Sequence, residues 1–492
     1  MPVEMKMRLT LRDVCTALGY GAVNGGDQVV FSGVSTDTRT LTPGDLFVAL
    51  IGPQTDGHQH IAAALRAGAA GLIVSQTVVA SPSLPVLRVP DTQVAYGLLA
   101  RFWRDRFDIP VVGVTGSVGK TTVKEMLALT LSPLGPVLKT AASQNNETGV
   151  PKALLSLTPR HKAAVIEMGM RGSGQIAYLC GIARPTVGVL TVIADNHLEL
   201  LGSRDAVADA KGELLESLPP DGIAVLNTND PYFERLARKT QARIVMYGTG
   251  SAVPSSPDKA FAMEANIVRT ETGWRFDVDG VPVEIASLSR HDIGNALAAL
   301  AAAEALGVSL ADAAHALRAY TPPPMRMNSV QTGWGGTLLN DAYNAGPASV
   351  ATALQTLVSA KGGRKIAFLG DMRELGARAE EAHQELGAVI AGLGGIDALY
   401  TVGPLAALIP NAVQRFTDSE EAACFAREQL TLTPGDVILV KGSRAMVMER
   451  IAAALGEPHP ASSLGDPLLQ KERADAERPG EVPLTRRRET RA

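Results

Sequence analysis

The sequence predicts a three-domain α/β protein with mostly parallel sheets, and three observations carry that expectation. Short apolar runs such as IPVVGVT, AAVIEMG and TVGVLTVIA alternate with helical stretches, as buried parallel strands with helices between them do. A chain of 492 residues is longer than a single core grows, about 250–300 residues. Punctuation at Asp108 and Pro110, and again at the Pro-rich TPPPMR (Thr321 to Arg326), divides it into units.

Residues 1–108 read as a small α/β domain, in which VFSGVSTDTRTLTPGDLFVALIG alternates strands with turns and HIAAALRAGAAGLIVS gives helix, turn and strand. Residues 109–322 read as a central α/β domain with a mostly parallel sheet. Its strands end in FAMEANIV, WRFDVDG and VPVEIASL, expected to be antiparallel, and an Ala-rich helix follows from Ile293 to Leu306. Asn295 and Glu304 interrupt that stretch, which suits a buried helix and not a membrane span. Residues 323–457 read as a Rossmann-like α/β domain on the strands GGTLLNDAY, RKIAFLGDM, DALYTVG and DVILVKGS. No GxGxxG follows the first of them, so a dinucleotide site is not expected. Residues 458–492 are polar and charged and are expected to be a disordered tail.

A net charge of −4 without a basic stripe argues against nucleic acid as a partner. The three cysteines, Cys15, Cys180 and Cys424, lie far apart and form no CxxC pair, so neither a disulfide framework nor a zinc knuckle is signalled. The N-terminal MPVEMKMRLT has no apolar leader core, and no run of about 18 apolar residues occurs. A cytoplasmic monomer with no membrane insertion is the expectation.

GVTGSVGKTT, from Gly113 to Thr122, follows an apolar strand and precedes the helical VKEMLALTL, the setting of a phosphate-binding loop. Gly116, Ser117, Val118 and Gly119 can turn their N–H groups toward phosphate oxygens, and the new helix adds its positive end. Lys120 would reach the β- and γ-phosphates, Thr121 would bind Mg2+, and Thr122 completes the loop. The first glycine of the common GxxxxGK[ST] spacing is displaced to Gly113, with Val114 in its place.

Glu167 ends the strand AAVIEMG at the sheet edge where ligands gather, and a carboxylate there suits Mg2+. His197 follows the next strand and is a candidate second metal ligand, although a lone histidine is more often an ordinary polar residue. Lys211 lies on a helix and by itself reads as a solvated lysine.

In chain order TGSVGKTT, SQNNETGVP, EMGMRGSGQIAYL, HLELLGSRDAVADAKGEL, GNALAALAAAEALGV, NDAYNAGPASV, LGDMRELG and VKGSRAMVMERI resemble the Mur ligase family over nearly the whole chain except the tail. The resemblance implies a UDP-binding N-terminal domain, a central ATPase domain and a Rossmann-like C-terminal domain. It also implies ATP, two Mg2+ ions and amide-bond formation through an acyl phosphate. NDAYNAGP and LGDMRELG point to the branch that adds D-Ala-D-Ala to UDP-MurNAc-tripeptide in peptidoglycan precursor synthesis.

By that resemblance Thr121, Glu167, His197 and Lys211 attend the metals, with Lys211 carbamylated. Lys120, His197 and Lys211 are the catalytic set, Asn295 lies near adenine, and Arg326 and Asp341 reach the nucleotide when the domains close. Ser35, Asp37, Arg39, Asp56 and His58 attend the UDP end, Asn145, Asn146 and Thr148 the sugar-peptide, and Tyr343 and Asn344 the incoming dipeptide. The chain departs from the family pattern at Val192, Asp292, Gly346 and the pair Ser143–Gln144. The rival readings are another amide ligase of the superfamily, such as a different Mur ligase or folylpolyglutamate synthase, a phosphate-loop kinase, and a catalytically dead scaffold.

Overall fold

The computed structural model describes residues 7–21, 28–52, 55–195, 198–249 and 260–456. The expected tail, 458–492, and His197 lie outside the described residues. Three main sheets follow one another along the chain. The first has four parallel strands in the order Gly33–Ser35, Asp45–Val48, Gly71–Val74 and Val86–Arg88. The helix Thr92–Arg104 then leads out of it, capped by the Asp91 carboxylate on the N–H groups of Gln93 and Val94. Trp103 and Arg104 near its end bond to the carbonyls of Leu157 and Ala183, and one apolar core runs from Leu9 through Leu99 to Leu226. The first unit is therefore packed continuously onto the second.

The central sheet has nine strands. In spatial order, Val137–Lys139, Ala163–Glu167, Val111–Thr115, Val187–Leu190, Ile223–Asn227, Arg243–Thr249 and Ala260–Arg269 pair in parallel. Trp274–Val278 and Val281–Ile285 extend it antiparallel. The strands around Val111–Thr115 are buried along their length, as their unbroken apolar runs require. The Ala-rich helix His291–Ala305 is buried from Ala296 to Ala303. Its small side chains let it lie close against the helix Lys120–Thr130, where Thr130 donates to the Ala299 carbonyl at 3.3 Å.

The third sheet has six strands, ordered Asn328–Gln331, Thr337–Asp341, Val437–Lys441, Lys365–Gly370, Ala398–Val402 and Gln414–Phe416. The first pair is antiparallel and the rest are parallel. Apolar cores cover both faces, one around Leu339 and Leu369 and the other around Phe368 and Val440. Among the described residues no helix is long and apolar enough to cross a membrane.

Candidate functional site

The loop between strand Val111–Thr115 and helix Lys120–Thr130 has two positions that only glycine suits. Gly116 has φ +146° and Gly119 φ +89°. A Cβ at Gly116 would stand 1.9 Å from Thr191 Oγ1, and one at Gly119 2.4 Å from Asn295 Oδ1. Asn295 thus abuts the loop itself, and its amide donates to Asp292 Oδ1 at 2.8 Å. Asp292, at a departing position, is buried and also accepts from Ser287. Gly113 is no part of the loop. It lies mid-strand, where a Cβ would meet Leu214 Cδ1 at 2.8 Å, so it lets the helix Arg204–Glu216 approach the sheet.

A neighbouring segment braces the loop. Ser117 N–H donates to the Val192 carbonyl at 2.7 Å, and Thr191 Oγ1 donates to the Val118 carbonyl at 2.6 Å. Ser117 Oγ both donates to the Ala194 carbonyl and accepts from its N–H. Position 192 contributes its carbonyl to this bracing, which any side chain there permits.

Glu167 stands beside Val114 in the sheet register and is fully buried. Its Oε1 accepts from Asn145 Nδ2 at 2.7 Å, while Oε2 has no hydrogen-bond partner. A buried carboxylate oxygen left without a donor is costly and fits a cation seat. Among the described residues no three His, Cys, Asp or Glu side chains converge, so a cation here would take most of its ligands from phosphate or water.

Two lysines meet over the loop. Lys120 Nζ donates to the Gly116 carbonyl at 2.8 Å, and Lys211 Nζ, from helix Arg204–Glu216, donates to the same oxygen at 2.9 Å. Burial pushes the Lys120 ammonium down to about 8, against the opposing pull of Glu167. Burial first, then the nearby Lys120 charge, pushes Lys211 well below the usual lysine range. A bound phosphate would favour the charged form of Lys120. Nucleotide affinity is therefore expected to be full below pH 8 and to fall as pH rises through it, a trend that calorimetric ADP titrations across pH 7–9.5 would check.

Arg326 arrives from the Pro-rich connection. Its neighbours Met325 and Met327 both hold left-handed backbone, φ 58° and 54°, an arrangement that costs about 1–3 kcal/mol per residue and fixes where the side chain points. The guanidinium stacks 3.9 Å from the Tyr343 ring centroid and donates to Thr121 Oγ1 at 3.1 Å and Ser143 Oγ at 3.3 Å. Asp341 is engaged by Lys441, at 2.6 Å, and by the Met327 N–H. Lys441 also donates to the Asn344 carbonyl and is itself buried.

These groups line two neighbouring spaces that share Ser117, Lys120, Arg326 and Asn344. A cavity of about 420 Å³ is lined by Ser117 to Thr122, Asn295, Arg326, Asp341 and Lys441. Gly346 lines this smaller space as the residue capping helix Pro347–Ser359, so the structure places it on the loop side and not in the larger cleft. That cleft, about 1440 Å³, takes residues from all three domains: Asp37 and Arg39, then Asn145, Asn146, Thr148, Glu167 and Lys211, then Tyr343 and Asn344.

Among the described residues, four expected ones do not line either space: Gly116, whose carbonyl takes both lysines, Ser35, Asp56 and His58. Ser35 folds onto Asp37, its hydroxyl donating to the Asp37 carbonyl at 3.0 Å. His58 Nδ1 lies 2.6 Å from Asp56 Oδ1, and its Nε2 accepts from the Ser75 N–H, which ties the turn to strand Gly71–Val74. Gly57, Gln59 and His60 face the cleft instead. The sequence reading also missed Ser143, Arg373, Glu374 and Ser443. Glu374 faces the cleft with φ +67°, and it and Arg373 fall inside the quoted LGDMRELG, the signal that could have found them.

Comparison with known proteins matches three family models: the Mur ligase family catalytic domain at residues 30–104, the Mur ligase middle domain at 114–303, and the Mur ligase glutamate ligase domain at 325–444. The chain is 37% identical to the UDP-N-acetylmuramoyl-tripeptide–D-alanyl-D-alanine ligase of Synechocystis, over 93% of this chain and 100% of that one. Among solved structures, MurF of Acinetobacter baumannii superposes with TM-score 0.82 at 30% identity, covering 92% of this chain and 99% of that one. MurF ligase of Thermotoga maritima in complex with ADP gives TM-score 0.75 at 29% identity, covering 86% and 96%.

Proposed function

The chain belongs to the Mur ligase family, and on that premise we propose how its site joins D-alanyl-D-alanine to UDP-N-acetylmuramoyl-tripeptide with ATP. The products are UDP-MurNAc-pentapeptide, ADP and phosphate. One observation carries this above all: Lys120, the orphaned Glu167 oxygen and Arg326 converge where a cleft lined from all three domains meets the loop.

A carboxylate is a poor acylating agent, so the tripeptide's terminal carboxylate first attacks the γ-phosphorus of ATP. An O–P bond forms, and ADP leaves with the electrons of the bond it loses. The dipeptide amine then attacks the acyl carbon. The C–O bond to phosphate breaks, phosphate departs, and the amine gives up a proton. The first step brings two anions together, so the protein has to offset charge and hold the partners in line. Lys120 does this on the β- and γ-phosphates. Arg326 exchanges the neutral Thr121 hydroxyl for phosphate oxygens, which are stronger acceptors.

Magnesium, two ions in this reading, would neutralise the phosphates and the attacking carboxylate, the first held by Thr121 and Glu167 and the second assigned to His197 and Lys211. Burial, and then the Lys120 charge, lower the proton affinity of Lys211 and so favour the neutral amine, the form that adds to carbon dioxide, and the carbamate so formed would be an anion suited to that role. Asn295 attends the adenine, and Asp341 reaches the nucleotide from the C-terminal domain. Asp37 and Arg39 are assigned to the UDP end, Asn145, Asn146 and Thr148 to the sugar-peptide, and Tyr343 and Asn344 to the dipeptide. Ser35, Asp56 and His58 support the UDP wall from behind.

Phosphate release is expected only when UDP-MurNAc-tripeptide and D-Ala-D-Ala are both supplied with MgATP. Release with glutamate and a folate, or transfer of phosphate to a hydroxyl acceptor, would redirect the assignment.

A further inference from the structure

One buried charge beside the site has no part in the mechanism above. Lys124 lies on helix Lys120–Thr130, one turn beyond Thr121, and is completely buried. A lysine is almost never buried without a partner, and its ammonium has three donors to place. One reaches the Ala142 carbonyl, and Glu125 Oε1 stands 3.1 Å from the same nitrogen. On its remaining side Glu167 Oε2 lies 3.8 Å away. That distance is too long for a hydrogen bond and short enough for strong attraction in a buried site.

We propose that Lys124 is a positioning residue that holds Glu167 in the orientation from which it takes the nucleotide's magnesium, an inference that rests on reading Glu167 as that ligand. Asn145 grips Glu167 by Oε1, and the Lys124 charge draws Oε2 without occupying its lone pairs, so this oxygen is aimed and still open. The same ammonium bonds to the turn that carries Asn145. Ala142 there has left-handed backbone, φ 45°, so its carbonyl is presented by a conformation the chain holds at a cost. Lys124 therefore steadies both grips on the carboxylate. An apolar side chain would fill the space without desolvating a charge, so packing alone does not account for a lysine here.

The test is calorimetric binding of ADP, with and without Mg2+, to the full-length protein and its variants. In the unaltered protein Mg2+ should strengthen ADP binding. Lys124→Met should bind ADP alone as the unaltered protein does, yet lose about tenfold or more of the magnesium-dependent gain, the scale on which partners of metal ligands act. A Lys124→Met protein that keeps the full gain overturns the proposal. Lys124→Gln keeps a donor for Ala142 but no charge, so it should fail as Met does. If Gln restores the gain, the Ala142 bond alone matters and the pairing is wrong. If the unaltered protein gains nothing from Mg2+, the reading of Glu167 falls first and takes this inference with it. Should Lys124→Met not fold, Lys124→Met with Glu167→Gln removes both charges together and is expected to fold without a magnesium-dependent gain. Failure of that pair to fold would assign Lys124 to packing and overturn the proposal.

Discussion

Lys120→Met is expected to lower kcat for phosphate release by roughly a hundred- to a thousandfold, the scale on which one preorganised charge-stabilising donor acts. Methionine matches the length of the lysine stem and removes only the ammonium. In the structure that ammonium bonds to the Gly116 and Ser117 carbonyls. The Gly116 carbonyl keeps its bond from Lys211, so the loop retains a brace. Burial holds the Lys120 charge at a cost, so the variant should melt no lower than the unaltered protein. The loss should fall mainly on kcat, because charge on the transferring phosphoryl group is spread most in the transition state. Steady-state kinetics with saturating UDP-MurNAc-tripeptide and D-Ala-D-Ala, alongside ADP binding, would separate the two parameters. A kcat within about threefold of the unaltered protein would remove Lys120 from the phosphoryl-transfer step, since Brønsted and electrostatic roles both act on larger scales.

The loop was legible because its chemistry is local. A strand, two glycines and a helix start lie within one run of sequence, and the left-handed angles at Gly116 and Gly119 are what those glycines are for. Glu167 was legible for a related reason, since the carboxyl end of a strand beside the loop strand is a position the sheet itself defines. Direction was not legible. Asp56 and His58 sit next to residues that face the cleft, yet they turn away and bond to each other, because a short 3-10 turn over Gly57–His60 alternates its faces within a few residues. Gly346, a departure from the family pattern, precedes helix Pro347–Ser359 and lines the space beside the loop, a placement that depends on how the third sheet docks. The bond between Arg326 and Thr121 joins residues far apart in sequence, and its signal is backbone strain at Met325 and Met327, which no composition reveals. Lys124 hid in plain pattern. It shares a helical stripe with the buried Leu127 and Leu131, so a charged residue on an apolar face was the available clue.

Lys211→Ala and Lys211→Met together separate the chemical role of this lysine from its burden on stability. Lys211→Ala is expected to lose activity by about a hundred- to a thousandfold, because the anion assigned to the second metal is gone. The truncated side chain leaves room, so millimolar formate or acetate should restore part of the rate. Methionine fills that room, so Lys211→Met should be equally inactive and not rescued. Stability should move the other way. The unaltered Lys211 is buried beside Lys120, and its affinity for protons is held well below the unfolded value. The unfolded chain therefore binds more protons than the folded one over the range between the two values, and stability rises with pH there. Lys211→Met carries no such penalty. In buffer freed of carbon dioxide, where carbamylation cannot compensate, it should unfold at a higher temperature than the unaltered protein. That advantage should shrink as pH rises toward the ordinary lysine value. Thermal denaturation at pH 7 and pH 9.5 reads the difference. Full activity of Lys211→Ala without added acid would remove the carbamate from the mechanism, and a lower melting temperature for Lys211→Met at both pH values would mean the ammonium is stabilised by more than the Gly116 carbonyl. Inactivity joined to higher stability would mark Lys211 as a residue kept for the reaction against the interest of the fold.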